Sequence, residues 1–426
     1  MIDYKRHILS NGLTLLVMED NSTPLVTVNT LYSVGARDED PSRTGFAHLF
    51  EHLMFGGTRE VPDFDRVVTE MGGESNANTN NDFTQYYLTV PAQYLETALW
   101  LESDRMQHLD LSPKSLAVQQ SVVTEEYNYR YINRPYGDMW LLMRPLCYKV
   151  HPYRWCTIGA DIRHVQEATL HDVEDFFNKY YQPHNAIIAV SGNVKSDNVI
   201  RLVEKLFGGI GQTCSSSHSA DNKALHNCPV EPEQTAARFL QVERDVPADA
   251  LYMAYPTCGR LGADMPAVDL VSDILSNGPS SRLYDGLVKS KALFGELDAY
   301  ITGDYDPGLF VISGKLRNGV SIDEGRHAVE EELQRIATTP VPESELQKVV
   351  NKYESTFCYS QYKTIDCAMA LCYYEWLGHI DWINNEPLLY RKVTPDDIQR
   401  VSSDLFQPHR QSALYYKARR GSAADL

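Results

Sequence analysis

Apolar and polar residues alternate in short runs through the early part of the chain. Leu13 to Met18, Thr27 to Val34 and Thr84 to Val90 are rich in β-branched and aromatic residues with partial period-two alternation, which predicts half-buried strands. Leu95, Leu99 and Met106 recur near helical spacing and predict a helix over Ala92 to Met106. Ser112 followed by Pro113 opens another helix, with a capping side chain and a first-turn proline. Further on, Ala186-Ile187-Ile188-Ala189-Val190-Ser191-Gly192 is an apolar run closed by glycine, read as a buried strand. Strands and helices therefore mix within one stretch, which predicts an α+β fold.

The pattern then repeats. Thr169 to Asn185 (TLHDVEDFFNKYYQPHN) aligns with Thr394 to Arg410 (TPDDIQRVSSDLFQPHR). In both copies a Thr N-cap with Asp three residues later opens an amphipathic helix, and a Gln-Pro-His turn ends it. A second alignment sets Ser33-Val34-Gly35 against Thr257-Cys258-Gly259. Self-similarity over this distance predicts duplication of a whole domain, since solenoid repeats are far shorter. Between the copies, Thr213 to Glu233 is rich in serine, asparagine and proline, the composition of a solvated linker. The expected division is a first domain at 1–212, a linker at 213–232 and a second domain at 233–426.

With 426 residues, 43% apolar and 23% charged, the chain has the composition of an ordinary globular protein and enough length for large cores. Lys and Arg number 39 against 57 Asp and Glu, a net charge of −18 that argues against nucleic acid and anionic membranes as partners. No stretch has the length of uncharged apolar residues that a membrane span needs. Met1 to His7 lacks the apolar core of a signal peptide, and the eight cysteines include no C-x-x-C pair. The expectation is a cytoplasmic protein with reduced thiols, or a periplasmic one if a leader has been removed.

The chemistry concentrates in His48-Leu49-Phe50-Glu51-His52, an H-x-x-E-H pattern. Histidines at i and i+4 project from one helix face, close enough for both imidazoles to hold one ion. Glu51, at i+3 from His48, sits beside the same place and is positioned to accept a proton there. Leu49, Phe50, Leu53, Met54 and Phe55 would keep the surroundings dry. A helix with two core histidines shows the same five-residue pattern, so a third ligand on a second helix is required. The helix beginning after Ser112 offers Glu125 and Glu126. Two histidines and one carboxylate, with one position open, is the donor set of a catalytic zinc site.

The run HLFEHLMFGGT, the later Gly72-Gly73-Glu74-Ser75-Asn76-Ala77-Asn78-Thr79 with Asp82, Thr84 and Tyr86, and VVTEE together resemble the pitrilysin/insulinase family of inverted-zincin metallopeptidases. The likeness is to its short bacterial members, relatives of the mitochondrial processing peptidase subunits, and it covers essentially the whole chain. The resemblance implies two homologous domains, each a mixed, largely antiparallel β-sheet covered by helices, enclosing a chamber. It implies one Zn2+ per chain, held by His48, His52 and Glu126, and hydrolysis of peptide bonds in short or unfolded peptides by metal-activated water. Glu51 would then serve as general base and later proton donor. Ser75, Asn76, Ala77 and Asn78 resemble the family's substrate-binding edge strand, which pairs with an extended peptide through its backbone.

Departures from the family pattern are also informative. In the second copy, His48, Glu51, His52 and Glu126 fall on Ser272, Leu275, Ser276 and Tyr353, so that domain is expected to bind no metal. Gln119 stands where a glutamate often precedes the carboxylate ligand by seven residues. Val288 and Gly295 stand where many members carry an Arg and a Tyr that support the transition state. A homodimer, or a heterodimer with a homologous subunit carrying the missing Arg/Tyr pair, is therefore expected. The rival reading is a non-catalytic scaffold or assembly subunit of a peptidase-like complex. An intact His48, Glu51, His52 and Glu126 weighs against that rival.

Overall fold

The computed structural model describes residues 1–211 and 228–419. Residues 213–227 of the expected linker lie outside the described residues. The chain divides into two units. The first holds Met1–Asn128, His151–Pro229 and Phe357–Glu386, and the second holds Tyr129–Val150, Val230–Thr356 and Pro387–Leu426.

The first unit is built on a sheet that has six strands among the described residues: β1 (Lys5–Ile8), β2 (Thr14–Glu19), β3 (Leu25–Tyr32), β4 (Glu74–Thr79), β5 (Thr84–Pro91) and β6 (Ala186–Gly192). Their order is β1-β2-β6-β3-β5-β4. All neighbours are antiparallel except β2 and β6. All seven residues of β6 are buried, as the glycine-bounded apolar run predicted. The sheet order puts β4 at one margin, paired only to β5 among the described residues.

Four helices follow the early strands in sequence: α1 (Phe46–Leu53), α2 (Phe64–Glu70), α3 (Leu95–His108) and α4 (Pro113–Tyr127). The predicted helix at Ala92 opens as a 3-10 turn, Ala92–Tyr94, before α3 begins. Ser112 caps α4 as predicted, its hydroxyl accepting from Ser115 N. α3 packs against β3 and β5, and α1 packs against β4, β5 and α4. The opposite face of β3 is covered by the late helix Thr364–Trp376. There Thr364 Oγ1 lies 3.0 Å from Thr27 Oγ1, and the Trp376 indole donates to Ser33 Oγ at 2.9 Å. Coverage on both faces explains why β3 is buried along nearly its whole length instead of alternating.

The second unit has a sheet with five strands among the described residues: β7 (Arg238–Arg244), β8 (Ala250–Pro256), β9 (Phe294–Ile301), β10 (Leu309–Leu316) and β11 (Ser412–Ala418). Its order is β7-β11-β8-β10-β9, with β7 and β11 parallel and the rest antiparallel. Apart from β1, this repeats the first sheet strand for strand: β2 corresponds to β7, β6 to β11, β3 to β8, β5 to β10 and β4 to β9. The repeated helices Leu170–Tyr180 and Pro395–Leu405 both begin with a capping box, Thr169 with Asp172 and Thr394 with Asp397. Duplication of the domain is thus visible in topology as well as sequence.

One pair of equivalent helices is exchanged. Met139–Cys147, from the first half of the sequence, packs on β7, β8 and β11, whereas Thr364–Trp376, from the second half, packs on β3 and β6. Each sheet therefore has one face closed by a helix from the other half of the sequence. No described helix is long and apolar enough to cross a membrane.

Candidate metal centre

α1 is short and amphipathic, and its apolar side is Phe46, Ala47, Leu49, Phe50 and Leu53, all buried. Beneath it lies an aromatic layer in which Phe50 stacks on Phe176, Phe177 and Tyr181. The Tyr86 and Tyr181 hydroxyls meet at 3.1 Å. Burial pushes both hydroxyls well above the usual tyrosine range, and the nearby charge of Glu51 adds to the effect. Deeper still, Arg105 and Glu102 of α3 form an ion pair that is 1% exposed on each side, and Glu102 also accepts from Thr30 Oγ1 at 2.8 Å. The Arg105 guanidinium lies 4.8 Å from the ring centres of both Phe64 and Tyr86. The floor under α1 is thus aromatic, with Arg105 and Glu102 neutralising each other.

His48 and His52 stand on one face of α1, their ring centres 4.9 Å apart and nearly perpendicular at 82°. α4 brings a carboxylate to them. Glu126 Oε1 is 3.6 Å from His48 Nε2, and Glu126 Oε2 is 3.1 Å from His52 Nε2. One potential ligand atom from each of the three residues lies within 4.8 Å of the other two. Two imidazoles and a carboxylate gathered this tightly fit a divalent cation of the zinc class. Glu125, the other carboxylate offered by the sequence, is exposed. Glu51 is half-buried, one turn after His48 on the same helix.

α4 is anchored by a side chain that the sequence did not single out. The Gln120 amide donates to the carbonyls of Val165, Gln166 and Ala168 at 2.9, 3.2 and 2.9 Å. The same segment reaches the start of α1, where His164 Nδ1 contacts Thr44 Oγ1 at 2.9 Å and accepts from Thr44 N at 3.2 Å. Gln120 of α4 and Thr44, just before α1, therefore both meet one stretch of chain, His164 to Ala168. Gln119 lies near Gly56, just past the end of α1: a Cβ built on Gly56 would be 3.9 Å from its amide nitrogen.

Ser75, Asn76, Ala77 and Asn78 all fall on the marginal strand β4, in register with Leu88, Tyr87, Tyr86 and Gln85 of β5. Asn76 Oδ1 accepts from the Ala77 N–H at 2.8 Å. Sequence reasoning also missed Glu39, whose buried carboxyl group accepts from Gly45 N and Ala47 N at the start of α1, each at 2.9 Å. The available signal was the glycine at the helix entry, where a Ser, Thr, Asp or Asn cap would be expected. Burial outweighs these hydrogen bonds and raises the Glu39 pKa to about 8.

In the second unit the equivalent place is filled. Leu275 is fully buried on the helix Met265–Ser276, and Ser272 Oγ donates to the Asp269 carbonyl at 2.8 Å. Tyr353 stacks on Tyr390 with ring centres 3.5 Å apart, and the Tyr390 hydroxyl donates to Asp269 Oδ2 at 2.7 Å. Val288 is buried in a π-helical segment, Tyr284–Ser290, and Gly295 lies on β9. Arg282 is engaged by Glu345 through two hydrogen bonds of 3.0 and 2.7 Å.

A family profile described as Insulinase (Peptidase family M16) matches residues 15–132, and one described as Peptidase M16 inactive domain matches residues 167–353. The zinc protease PqqE of Helicobacter pylori is 28% identical over 96% of this chain and 91% of its own length. An uncharacterized zinc protease of Streptomyces coelicolor is 24% identical over 94% of this chain and 87% of its own. The crystal structure of a protease from Helicobacter pylori superposes with a TM-score of 0.90 at 26% identity, covering 98% of this chain and 100% of that one. A Pseudomonas fluorescens structure described as a peptidase M16 inactive domain shares the fold, with a TM-score of 0.86 at 15% identity, covering 99% of each chain.

Proposed function

Since the chain belongs to the pitrilysin/insulinase (M16) family of peptidases, we propose that it is a zinc-dependent endopeptidase acting on short or unfolded peptides. The observation that carries this reading is the convergence of His48, His52 and Glu126 from two helices, with Glu51 between the two histidines in sequence on α1. These three residues would hold one zinc ion. When bound, zinc supplies the positive charge that activates an attacking water and polarises the scissile carbonyl.

The chain's own residues do the rest. β4 offers a sheet margin to which an extended peptide can add by backbone hydrogen bonds, giving affinity with weak dependence on side chains. The Ala77 N–H, now taken by Asn76 Oδ1, becomes a donor to such a peptide when that side chain turns away. Glu51 accepts the proton of the attacking water and delivers it to the departing amine. The buried faces of Leu49, Phe50, Leu53 and Met54 limit water access behind the histidines and strengthen local electrostatics.

Val288 and Gly295 supply no side-chain donor for the oxyanion, which favours a heterodimer with a homologous subunit bearing the Arg/Tyr pair over a homodimer. The test is zinc content and peptide cleavage for the purified chain and for Glu51→Gln, alone and with the homologous subunit. Zinc bound in both forms with cleavage only in the wild type supports the enzyme. No cleavage under any condition leaves the scaffold reading. Full activity of the lone chain, unchanged on dilution, rejects the partner requirement.

A further inference from the structure

α1 has eight residues, carries both histidines and Glu51, and is too short to hold itself together. Its first-turn amides need acceptors from outside the helix. The entry residue cannot supply one. Gly45 has φ of +90°, and a Cβ there would lie 2.7 Å from the Ile158 carbonyl oxygen and 2.8 Å from Val165 Cγ2. A capping Ser, Thr, Asp or Asn is therefore excluded by both backbone conformation and space.

Glu39 does this work from six residues upstream. Its side chain reaches back so that Oε2 takes the Gly45 N–H and Oε1 the Ala47 N–H. Ala47 immediately precedes His48, so the second bond fixes the backbone from which that imidazole projects. The residue is 5% exposed. A carboxyl group this deeply buried is tolerated where its hydrogen bonds are local and made to a helix N-terminus.

Glu39 is itself held from the other side. It follows the 3-10 turn Ala36–Asp38, whose Ala36 N donates to the Asn80 carbonyl at 3.1 Å and whose Arg37 N donates to the Asn81 carbonyl at 2.9 Å. Asn80 and Asn81 lie in the connection between β4 and β5. The Trp155 indole adds a bond of 2.8 Å to the Ala36 carbonyl. A continuous path of hydrogen bonds thus runs from the turn at the end of the marginal strand, through Glu39, to the first turn of α1.

We propose that Glu39 is a positioning residue for the metal centre, clamping the first turn of α1 to the β4–β5 turn so that His48 and His52 are presented together to one cation. This rests on the zinc reading above. Glutamine at position 39 keeps the shape but has one acceptor oxygen, and its NH2 group meets one of the two amides. Aspartate keeps both oxygens on a stem shorter by one methylene.

The experiment compares the full-length wild type with Glu39→Gln and Glu39→Asp. Zinc affinity is measured by competition with a chromophoric chelator, the cobalt-substituted absorption spectrum is recorded, and the metal-free fold is followed by circular dichroism. The expected result is a loss of zinc affinity of roughly 10- to 100-fold in Glu39→Gln, the range for groups that orient metal ligands. The cobalt bands should shift while the metal-free spectrum stays that of the wild type, with Glu39→Asp between the two. Wild-type zinc affinity in both variants would overturn the proposal even if their stability fell. Should Glu39→Gln fail to fold, Glu39→Asp carries the test, and unfolding of both would reduce Glu39 to a general stability element and overturn it too. If the wild-type chain binds no zinc, the metal reading itself fails and the clamp fails with it.

Discussion

Glu126 Oε2 lies 3.1 Å from His52 Nε2 although 74 residues of chain separate them. Nothing local brings the two together; the packing of α4 against α1 does. Glu125, the next residue back, is exposed. Substituting Glu126 by Gln should therefore weaken zinc binding by more than about 100-fold, beyond the usual cost of losing an orienting partner. Glu125→Gln should leave the affinity within about threefold of wild type. A chelator competition titration on both variants decides it.

Glu51 is expected to matter for proton transfer and not for metal retention. Glu51→Gln should keep its zinc and lose roughly 10²- to 10⁴-fold in peptide cleavage, the contribution typical of a general base. Metal analysis alongside a fluorogenic peptide assay reads both quantities. Loss of zinc in this variant would make Glu51 a ligand instead.

The raised pKa of Glu39 has a consequence for the metal-free protein. Burial favours the neutral acid, so the folded state holds this proton up to about pH 8, while the unfolded chain releases it near 4.5. Between those values the folded state binds more protons, and stability from this group falls as pH rises. It is fully present below about pH 4.5 and gone above 8, a loss of a few kcal/mol in total. Urea midpoints of the metal-free chain at pH 6 and pH 8.5 should differ more in wild type than in Glu39→Gln, which cannot ionise.

Arg105→Ala should be among the most damaging single changes in the first unit. It leaves the Glu102 carboxylate buried beside an aromatic layer without its cation, and removes the guanidinium from the Phe64 and Tyr86 rings. Breaking a buried pair from one side costs about 3–5 kcal/mol. Equilibrium urea unfolding measures this directly; a loss under about 1 kcal/mol would mean that water reaches Glu102.

Features made by residues close together in the chain were legible without coordinates. The i, i+4 histidines, the Ser112 cap, the two Thr-Asp capping boxes and the buried run at Ala186 each depend on contacts across a few positions, and all are found as expected. The duplication was legible because it copies such local signals, and the matching strand orders bear it out. Serine and leucine already stand opposite His48, Glu51 and His52 in the second half of the sequence. That Tyr353 would stack on Tyr390 there was not foretold.

The residue order thus carried the kind of elements, the repeat and the two imidazoles of the cluster, because short-range sterics and hydrogen bonding settle those. Which carboxylate meets the histidines, how α1 obtains a cap that Gly45 cannot provide, and the trade of helices between the two sheets depended on packing between distant segments. Such pairings are settled by how apolar faces cover one another. A helix one residue out of phase, or a sheet face closed by a different helix, leaves the same local pattern in the sequence while placing different atoms at the site.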